Sequence, residues 1–300
     1  MSDIFQSLLN IKGLEAQKDV SLARHTTWKV GGPAEFLVRA NNTLSLGALL
    51  RRVKAEGVPL FVLGNGSNIL VSDRGFEGIV IRLEGEFTSI DVSGEELKAG
   101  GGAPLSSLVG KASKASLEGL EFAAGIPGTV GGAVMTNAGA FAGSIAEVVR
   151  EVKTLTPDGE EIRHTDIEDV YRSPLVPPEE IVTLARFRLK KGSAEQIRKT
   201  MDSVKARRME TQPWGMATAG SVFKNPPGDS AARIVEECGL KGKSIGGAKV
   251  SDTHANFIIN DGAARASDIK KLIDLILGEV KSRFGIELDL EIQLVGFDKE

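Results

Sequence analysis

The apolar run Pro59-Leu60-Phe61-Val62-Leu63 is too short for a helix and ends at a turn signal, which predicts a buried strand closing at Gly64-Asn65-Gly66-Ser67-Asn68. Ile69-Leu70-Val71 resumes the apolar pattern, so a glycine-rich turn separates two short strands. Glu35 to Val38, Ile79 to Leu83 and Glu96 to Ala99 predict further strands, and Leu105 to Ala115 has the spacing of an amphipathic helix. A second glycine-rich block, Gly125-Ile126-Pro127-Gly128-Thr129-Val130-Gly131-Gly132-Ala133, is followed by Asn137-Ala138-Gly139-Ala140 and reads as loop. Strands return at Val148 to Leu155 and Ile181 to Leu189, with Pro157-Asp158-Gly159 as a turn. Ser193 to Glu210 is a charged helical connector. Ser267 to Phe284 places Ile269, Leu272, Ile273, Ile276, Val280 and Phe284 at helical spacing, with Gly285 set to end the helix. Ile286 to Val295 alternates like a strand, putting Glu287, Asp289, Glu291 and Gln293 on its polar face.

With 300 residues the chain exceeds the mode for one domain, so two or three packed units are expected. Hydrophobic residues at 41% and charged residues at 26% describe a soluble globular protein. A net charge of −3 offers no basic field for a polyanion, which argues against nucleic acid as a partner. Cys238 is the single cysteine, so neither an intramolecular disulfide nor a multi-cysteine metal site can form. Met1 to Ala16 mixes Asp3, Gln6, Asn10, Lys12 and Glu15 among its apolar residues, unlike a signal peptide, and no later stretch is apolar enough to span a bilayer. A cytoplasmic protein without a membrane partner is the expectation. Glycine, with 35 residues, is over-represented and concentrated in runs where the backbone must turn sharply or approach something closely.

Each candidate motif has a plain reading when taken alone. Gly64 to Asn68 can offer backbone N–H groups to a pyrophosphate but serves more simply as a tight turn; it lacks the third glycine of a dinucleotide fingerprint. Gly125 to Gly132 is too glycine-dense for one turn, and either packs on a neighbouring element or lies against a ligand. Ser221, in Gly220-Ser221-Val222-Phe223-Lys224-Asn225-Pro226, is outside any nucleophile elbow and reads as a turn or cap serine. Glu291 on a polar strand face meets water, and Arg172 passes as a surface arginine. His25, His164 and His254 have no metal-ligand spacing, so no metal site is expected. Lys241-Gly242-Lys243-Ser244 misses the first glycine of a P-loop, since Glu237 stands there.

Taken in order, five segments resemble the UDP-N-acetylenolpyruvoylglucosamine reductases, also called UDP-N-acetylmuramate dehydrogenases. They are His25-Thr26-Thr27-Trp28-Lys29-Val30-Gly31-Gly32, Leu63 to Val71, Gly125 to Gly132, Gly220 to Pro226, and Ser251-Asp252-Thr253-His254-Ala255-Asn256-Phe257. The resemblance implies an α+β protein in which a two-subdomain FAD-binding fold of the vanillyl-alcohol-oxidase type precedes a C-terminal α+β substrate domain. The expected division is 1–85 and 86–192 for the two FAD subdomains and 193–300 for the UDP-sugar domain, with 193–210 as connector. Gly64, Asn65, Gly66, Ser67 and Asn68, with Gly125, Ile126, Pro127, Gly128, Thr129, Gly131, Gly132 and Ala133, would line a noncovalent FAD.

The same resemblance implies reduction of UDP-N-acetylglucosamine enolpyruvate to UDP-N-acetylmuramate, a step in peptidoglycan precursor synthesis. NADPH would reduce the flavin, and a hydride from flavin N5 would then add at C3. Arg172 would stabilise the enolate-like charge, with Glu291 assisting in its protonated form, and Ser221 would deliver a proton to C2. Tyr171, Lys224 and Asn225 would touch substrate. No obligate protein partner is implied.

Two departures from the family pattern stand out. Ser173 follows Arg172 directly and Pro174 comes next, where Tyr-Arg-x-Ser is expected; and Tyr171 is the only tyrosine, so the chain resembles the shorter subtype without a tyrosine loop. Two rival readings are a flavin oxidase acting on an alcohol or hydroxy acid, and a UDP-sugar-binding module without turnover. The presence of Arg172, Ser221 and Glu291 counts against the second.

Overall fold

The computed structural model describes residues 11–141 and 143–297. Residues 1–10, most of the stretch read above as unlike a signal peptide, lie outside the described residues. The chain forms two compact units: one from residues up to Lys18, Phe36–Gly64 and Gly78–Arg207, the other from Asp19–Glu35, Asn65–Glu77 and Arg208 onward. Among the described helices, none is long and apolar enough to cross a membrane.

The first unit contains two apolar cores. One is built on a four-stranded sheet in the order Leu14–Ser21, Pro33–Ala40, Phe76–Leu83, Leu60–Val62. The last two strands run parallel, pairing Leu60 with Ile79 and Val62 with Ile81, as a crossover connection requires. Helix Thr43–Glu56 buries Leu46, Leu49, Leu50 and Val53, an i, i+3, i+4, i+7 stripe, against Phe36, Val38, Ile79 and Ile81. Asn42 caps it by accepting the Ser45 N–H at 2.9 Å, and Gly57 ends it in the left-handed conformation at φ 62°.

The other core of this unit lies under an antiparallel sheet in the order Glu161–His164, Val149–Leu155, Ile181–Arg188, Glu96–Gly100, Ile90–Ser93. Helix Leu105–Lys114 contributes Leu105, Leu108, Val109 and Ala112 to it. The expectation of loop throughout Gly125 to Ala133 is corrected here. Thr129 caps a short helix, Val130–Met135, by accepting the Gly132 N–H at 3.2 Å, so Gly131, Gly132 and Ala133 are helical. Tertiary contact overrides the low helix propensity of glycine: Gly131 N–H donates to Gly101 O at 2.8 Å, and a Cβ there would lie 2.9 Å from that oxygen.

In the second unit, helices Ala231–Glu237 and Ala266–Phe284 pack with the strands Ala248–Val250 and Ile258–Asn260 around one core that also takes in Trp28, Val30 and Leu70. Trp28 is fully buried and its indole N–H donates to Ile258 O at 2.7 Å. Asp73 caps the long helix from a distant loop, accepting the Ala266 and Ser267 N–H groups at 2.9 and 3.1 Å. Gly285 closes its other end at φ 66°.

The continuous strand expected over Ile286 to Val295 is not formed. Only Gln293–Val295 is a strand, parallel to Ile69–Val71, and Leu290 makes a single bridge to Phe223. Leu288 and Ile292 are both buried, as alternate positions of one face, but Glu291 between them is half-buried rather than on a solvent face.

Candidate active site

In the first unit Gly64, which opens the first glycine-rich turn, meets the second glycine-rich segment. Gly64 sits where an added Cβ would lie 2.8 Å from Thr129 Oγ1, so only glycine lets the first turn rest on the cap of the short helix. Ile126, Val130, Gly131 and Ala133 donate their N–H groups to Ala123, Ala103, Gly101 and Thr129 carbonyls, which makes the block rigid. Pro127 and Gly132 are exposed, and a Cβ on Gly132 would touch nothing closer than Thr129 Oγ1 at 3.4 Å. A surface of main chain and small side chains, held stiff from beneath, fits a dinucleotide cofactor lying along it.

Arg172 belongs to the same unit and is not the surface arginine its neighbours in sequence suggest. Its backbone is left-handed, at φ 52°, and its side chain is turned inward. Nη1 donates to Asn137 O at 3.1 Å and Nη2 to Gly139 O at 2.9 Å, while the guanidinium carbon lies 5.5 Å from the centre of the Tyr171 ring. Ser173 is not required to support the arginine, because two backbone carbonyls do so; the Ser173 N–H itself donates to Val170 O. Tyr171 is 56% exposed.

The carbonyls that hold Arg172 are themselves fixed by Asn137, which is 3% exposed. Asn137 Nδ2 donates to Asp169 Oδ1 at 2.7 Å and to Val170 O at 3.0 Å, and its Oδ1 accepts the Ala146 N–H at 3.1 Å. Ser144 Oγ donates to the other oxygen of Asp169 at 3.2 Å. Neither Asn137 nor Asp169 stands out in the sequence as a functional side chain. The only signal is an asparagine inside a glycine and alanine segment.

The second unit holds Ser221, Lys224, Asn225 and Glu291. Ser221 bridges to Phe257, and the segment after it is bracketed by Asn256: Val222 N–H donates to Asn256 O, Phe223 N–H to Asn256 Oδ1 at 2.9 Å, and Asn256 Nδ2 to Phe223 O at 2.8 Å. On its other side, Glu291 N–H donates to Val222 O and Lys224 N–H to Asp289 O, each at 2.8 Å. Ser221 and Glu291 therefore lie on adjacent segments. Asn68, from the first glycine turn, donates through Nδ2 to Glu291 O at 2.9 Å and accepts the Gln293 N–H. In that turn Gly66, at φ 62°, would drive a Cβ to 2.2 Å from His25 O, so close packing of backbone on backbone demands this glycine. Asn225 is exposed, and its Oδ1 accepts the Ala231 N–H at the start of a helix.

His254 stands two residues before Asn256 and accepts that residue's N–H through Nδ1 at 3.3 Å, which leaves Nδ1 without a proton. Burial, reinforced by the charge of Lys241, pushes its pKa below the ordinary 6.5, so the neutral imidazole belongs to the folded state. Among the described residues no cluster of histidine, cysteine and carboxylate side chains has the geometry to hold a metal.

Residues 34–165 match the FAD binding domain family, and residues 212–295 match the C-terminal domain of UDP-N-acetylenolpyruvoylglucosamine reductase. The reductase of Halalkalibacterium halodurans is 40% identical over 300 residues, 99% of each chain. That of an Anaeromyxobacter species is 44% identical over 283 residues, covering 94% of this chain and 89% of the relative. The crystal structure of a UDP-N-acetylenolpyruvylglucosamine reductase from Thermus caldophilus aligns with a TM-score of 0.81 at 39% identity, over 94% of this chain and 98% of that one. A variant of Phl p 4, a glucose oxidase, aligns with a TM-score of 0.51 at 18% identity, over 64% of this chain and 44% of its own; this likeness speaks to fold alone. The fold is the two-subdomain FAD-binding architecture of the vanillyl-alcohol-oxidase type, joined to a C-terminal α+β domain. Similarity of this degree along nearly the whole chain makes the protein a member of the UDP-N-acetylenolpyruvoylglucosamine reductase family, FAD-dependent oxidoreductases.

Proposed function

We propose that the chain reduces the enolpyruvyl double bond of UDP-N-acetylglucosamine enolpyruvate to give UDP-N-acetylmuramate, with NADPH as reductant and FAD held noncovalently. The observation that carries this reading lies within the second unit. Asn68 donates to the carbonyl of Glu291 across 223 positions of sequence, and Glu291 in turn donates to Val222, the neighbour of Ser221. A turn assigned to FAD, an acid and a proton donor thus share one hydrogen-bonded scaffold.

Gly64 to Asn68 and Gly125 to Ala133 would hold FAD, which would supply the hydride that adds at C3 of the enolpyruvyl group. The residues of the chain manage the charge and the proton that follow. Negative charge builds on C2 and the adjoining carboxylate, and the Arg172 guanidinium stabilises it by Coulomb attraction and N–H donation. Glu291, in its protonated form, stands on the segment beside Ser221 to donate a hydrogen bond to the developing charge. Ser221 gives its hydroxyl proton to C2, which completes the addition of two hydrogens across the double bond. Serine is a weak acid, so the transfer depends on the strong basicity of the carbon it meets and on a fixed position. Tyr171, Lys224 and Asn225 are assigned to the UDP-sugar.

The proposed division of labour gives FAD to 1–85 and 86–192 and the UDP-sugar to 193–300; the chain has three apolar cores, and residues 19–35 and 65–77 of the first segment fold with the C-terminal unit. The reading also carries a cytoplasmic site of action and no obligate protein partner. The test supplies the purified chain with FAD, NADPH and the enolpyruvyl sugar and follows NADPH loss alongside product mass. One product, heavier by two hydrogens, should form for each NADPH consumed. Oxidation of NADPH at the same rate with and without the sugar, and no such product, refutes the reading and favours the flavin oxidase.

A further inference from the structure

We infer that Asn137 and Asp169 form a positioning clamp that fixes the guanidinium of Arg172 in the orientation the reduction needs. The inference rests on the role given to Arg172 above, and it concerns two residues that touch neither substrate nor cofactor in that scheme.

Arg172 is held through two backbone carbonyls, those of Asn137 and Gly139. Acceptors of this kind are only as well placed as their peptide units, and these lie in a segment with unusual backbone: Asn137 is left-handed at φ 39°. Arg172 is left-handed too, at φ 52°. Non-glycine residues keep such conformations when their surroundings over-determine them. Here the surroundings are the side chain of Asn137, whose two amide N–H groups go to Asp169 and Val170 and whose oxygen takes the Ala146 N–H. Asp169 closes the arrangement by accepting from Ser144 as well.

The residues Asn137, Gly139, Ser144 and Ala146 are therefore tied to the stretch 169–172 by one buried asparagine and one carboxylate, and Arg172 leaves that stretch to grip the carbonyls of Asn137 and Gly139. An arginine must present a planar fork at a defined angle to stabilise a developing carboxylate or enolate charge. The clamp sets that angle. A role limited to holding the fold together would affect stability and both halves of the catalytic cycle, whereas a positioning role acts only where Arg172 acts.

Two measurements on the full chain test this. The first reads the clamp without catalysis: 15N-edited spectra of arginine side chains should show distinct, slowly exchanging Nη signals for Arg172 in the wild type, merging in Asp169→Ala. Freely rotating Nη groups in the wild type would overturn the clamp whatever the enzyme does. The second is a double-mutant cycle on the two anaerobic half-reactions. Asp169→Ala should slow flavin reoxidation by the enolpyruvyl sugar by about 10–100-fold while flavin reduction by NADPH keeps its rate. Asp169→Asn, which retains an acceptor for Asn137, should recover most of the loss. In an Arg172→Ala background, Asp169→Ala should add little further loss. Full additivity, or equal slowing of both halves, overturns the clamp. If Arg172→Ala alone leaves reoxidation at the wild-type rate, the role of Arg172 fails instead, and the spectra still report on the clamp.

Discussion

Asn256 engages both ends of its side-chain amide with the backbone of Phe223, and through that pairing it holds the segment that begins at Ser221. Replacing it with alanine leaves a buried N–H and a buried C=O without their partners, and the expected loss of stability is roughly 2–4 kcal/mol, measured by denaturant unfolding. Ser221→Ala has a different signature: flavin reduction by NADPH nearly unchanged, and the second half-reaction slower by about 10²–10⁴-fold. His254 adds a pH dependence. Its folded-state pKa lies below 6.5, so the unfolded chain binds more protons as pH falls through 6.5, and stability declines below that value. Urea midpoints measured across this window should fall toward acid in the wild type and flatten in His254→Gln. At this scale sequence was a partial guide. Ser221 and Glu291 are singled out only by the family resemblance, since alone they read as a turn serine and a water-facing strand residue, and the inward turn of Arg172 depends on carbonyls 33 and 35 positions away that no local pattern encodes.

Elements with self-contained signals were readable from sequence alone. The long C-terminal helix has a continuous apolar stripe and a glycine at its left-handed end, and it forms as Ala266–Phe284, within a residue of the span predicted. Its N-terminal cap was not readable, because Asp73 arrives from a loop 193 positions earlier. Burial raises the pKa of this carboxyl, but the bonds from Ser267 and Ala266 and the charge of Arg265 outweigh it, and the net direction is below 3.8. The cap therefore contributes fully above pH 3.8 and is lost as pH falls through the lower folded-state value. Asp73→Ala should destabilise the protein at neutral pH by about 1 kcal/mol, with a smaller difference in strong acid. The stretch from Ile286 to Val295 misled for the opposite reason. Its alternation is real up to Leu290, but its neighbours offer isolated bridges rather than a ladder, so most of it has no strand to join.

For the molecule as a whole, the pairing of α and β segments was legible, while the discontinuity of the two units was not. Trp28, Val30 and Leu70 fold into a core whose other buried members lie beyond residue 218, and the Trp28 indole reaches a carbonyl 230 positions away. A reading that proceeds along the chain has no access to that. The rigid glycine surface, by contrast, was marked in the composition, since glycine runs indicate close approach whatever makes it. Binding of FAD to the folded state alone should raise the thermal midpoint with the logarithm of its concentration, by about 2.7 kcal/mol of stability at a hundredfold excess over Kd. A midpoint indifferent to FAD would remove the cofactor from the scheme.

The most direct test of the central claim is an anaerobic stopped-flow experiment in which enzyme reduced beforehand by one equivalent of NADPH is mixed with the enolpyruvyl sugar. The account predicts return of the oxidised flavin spectrum in step with formation of UDP-N-acetylmuramate, and a large slowing of that phase in Ser221→Ala. A flavin that stays reduced in the presence of the sugar, yet reoxidises when oxygen is admitted, would contradict it.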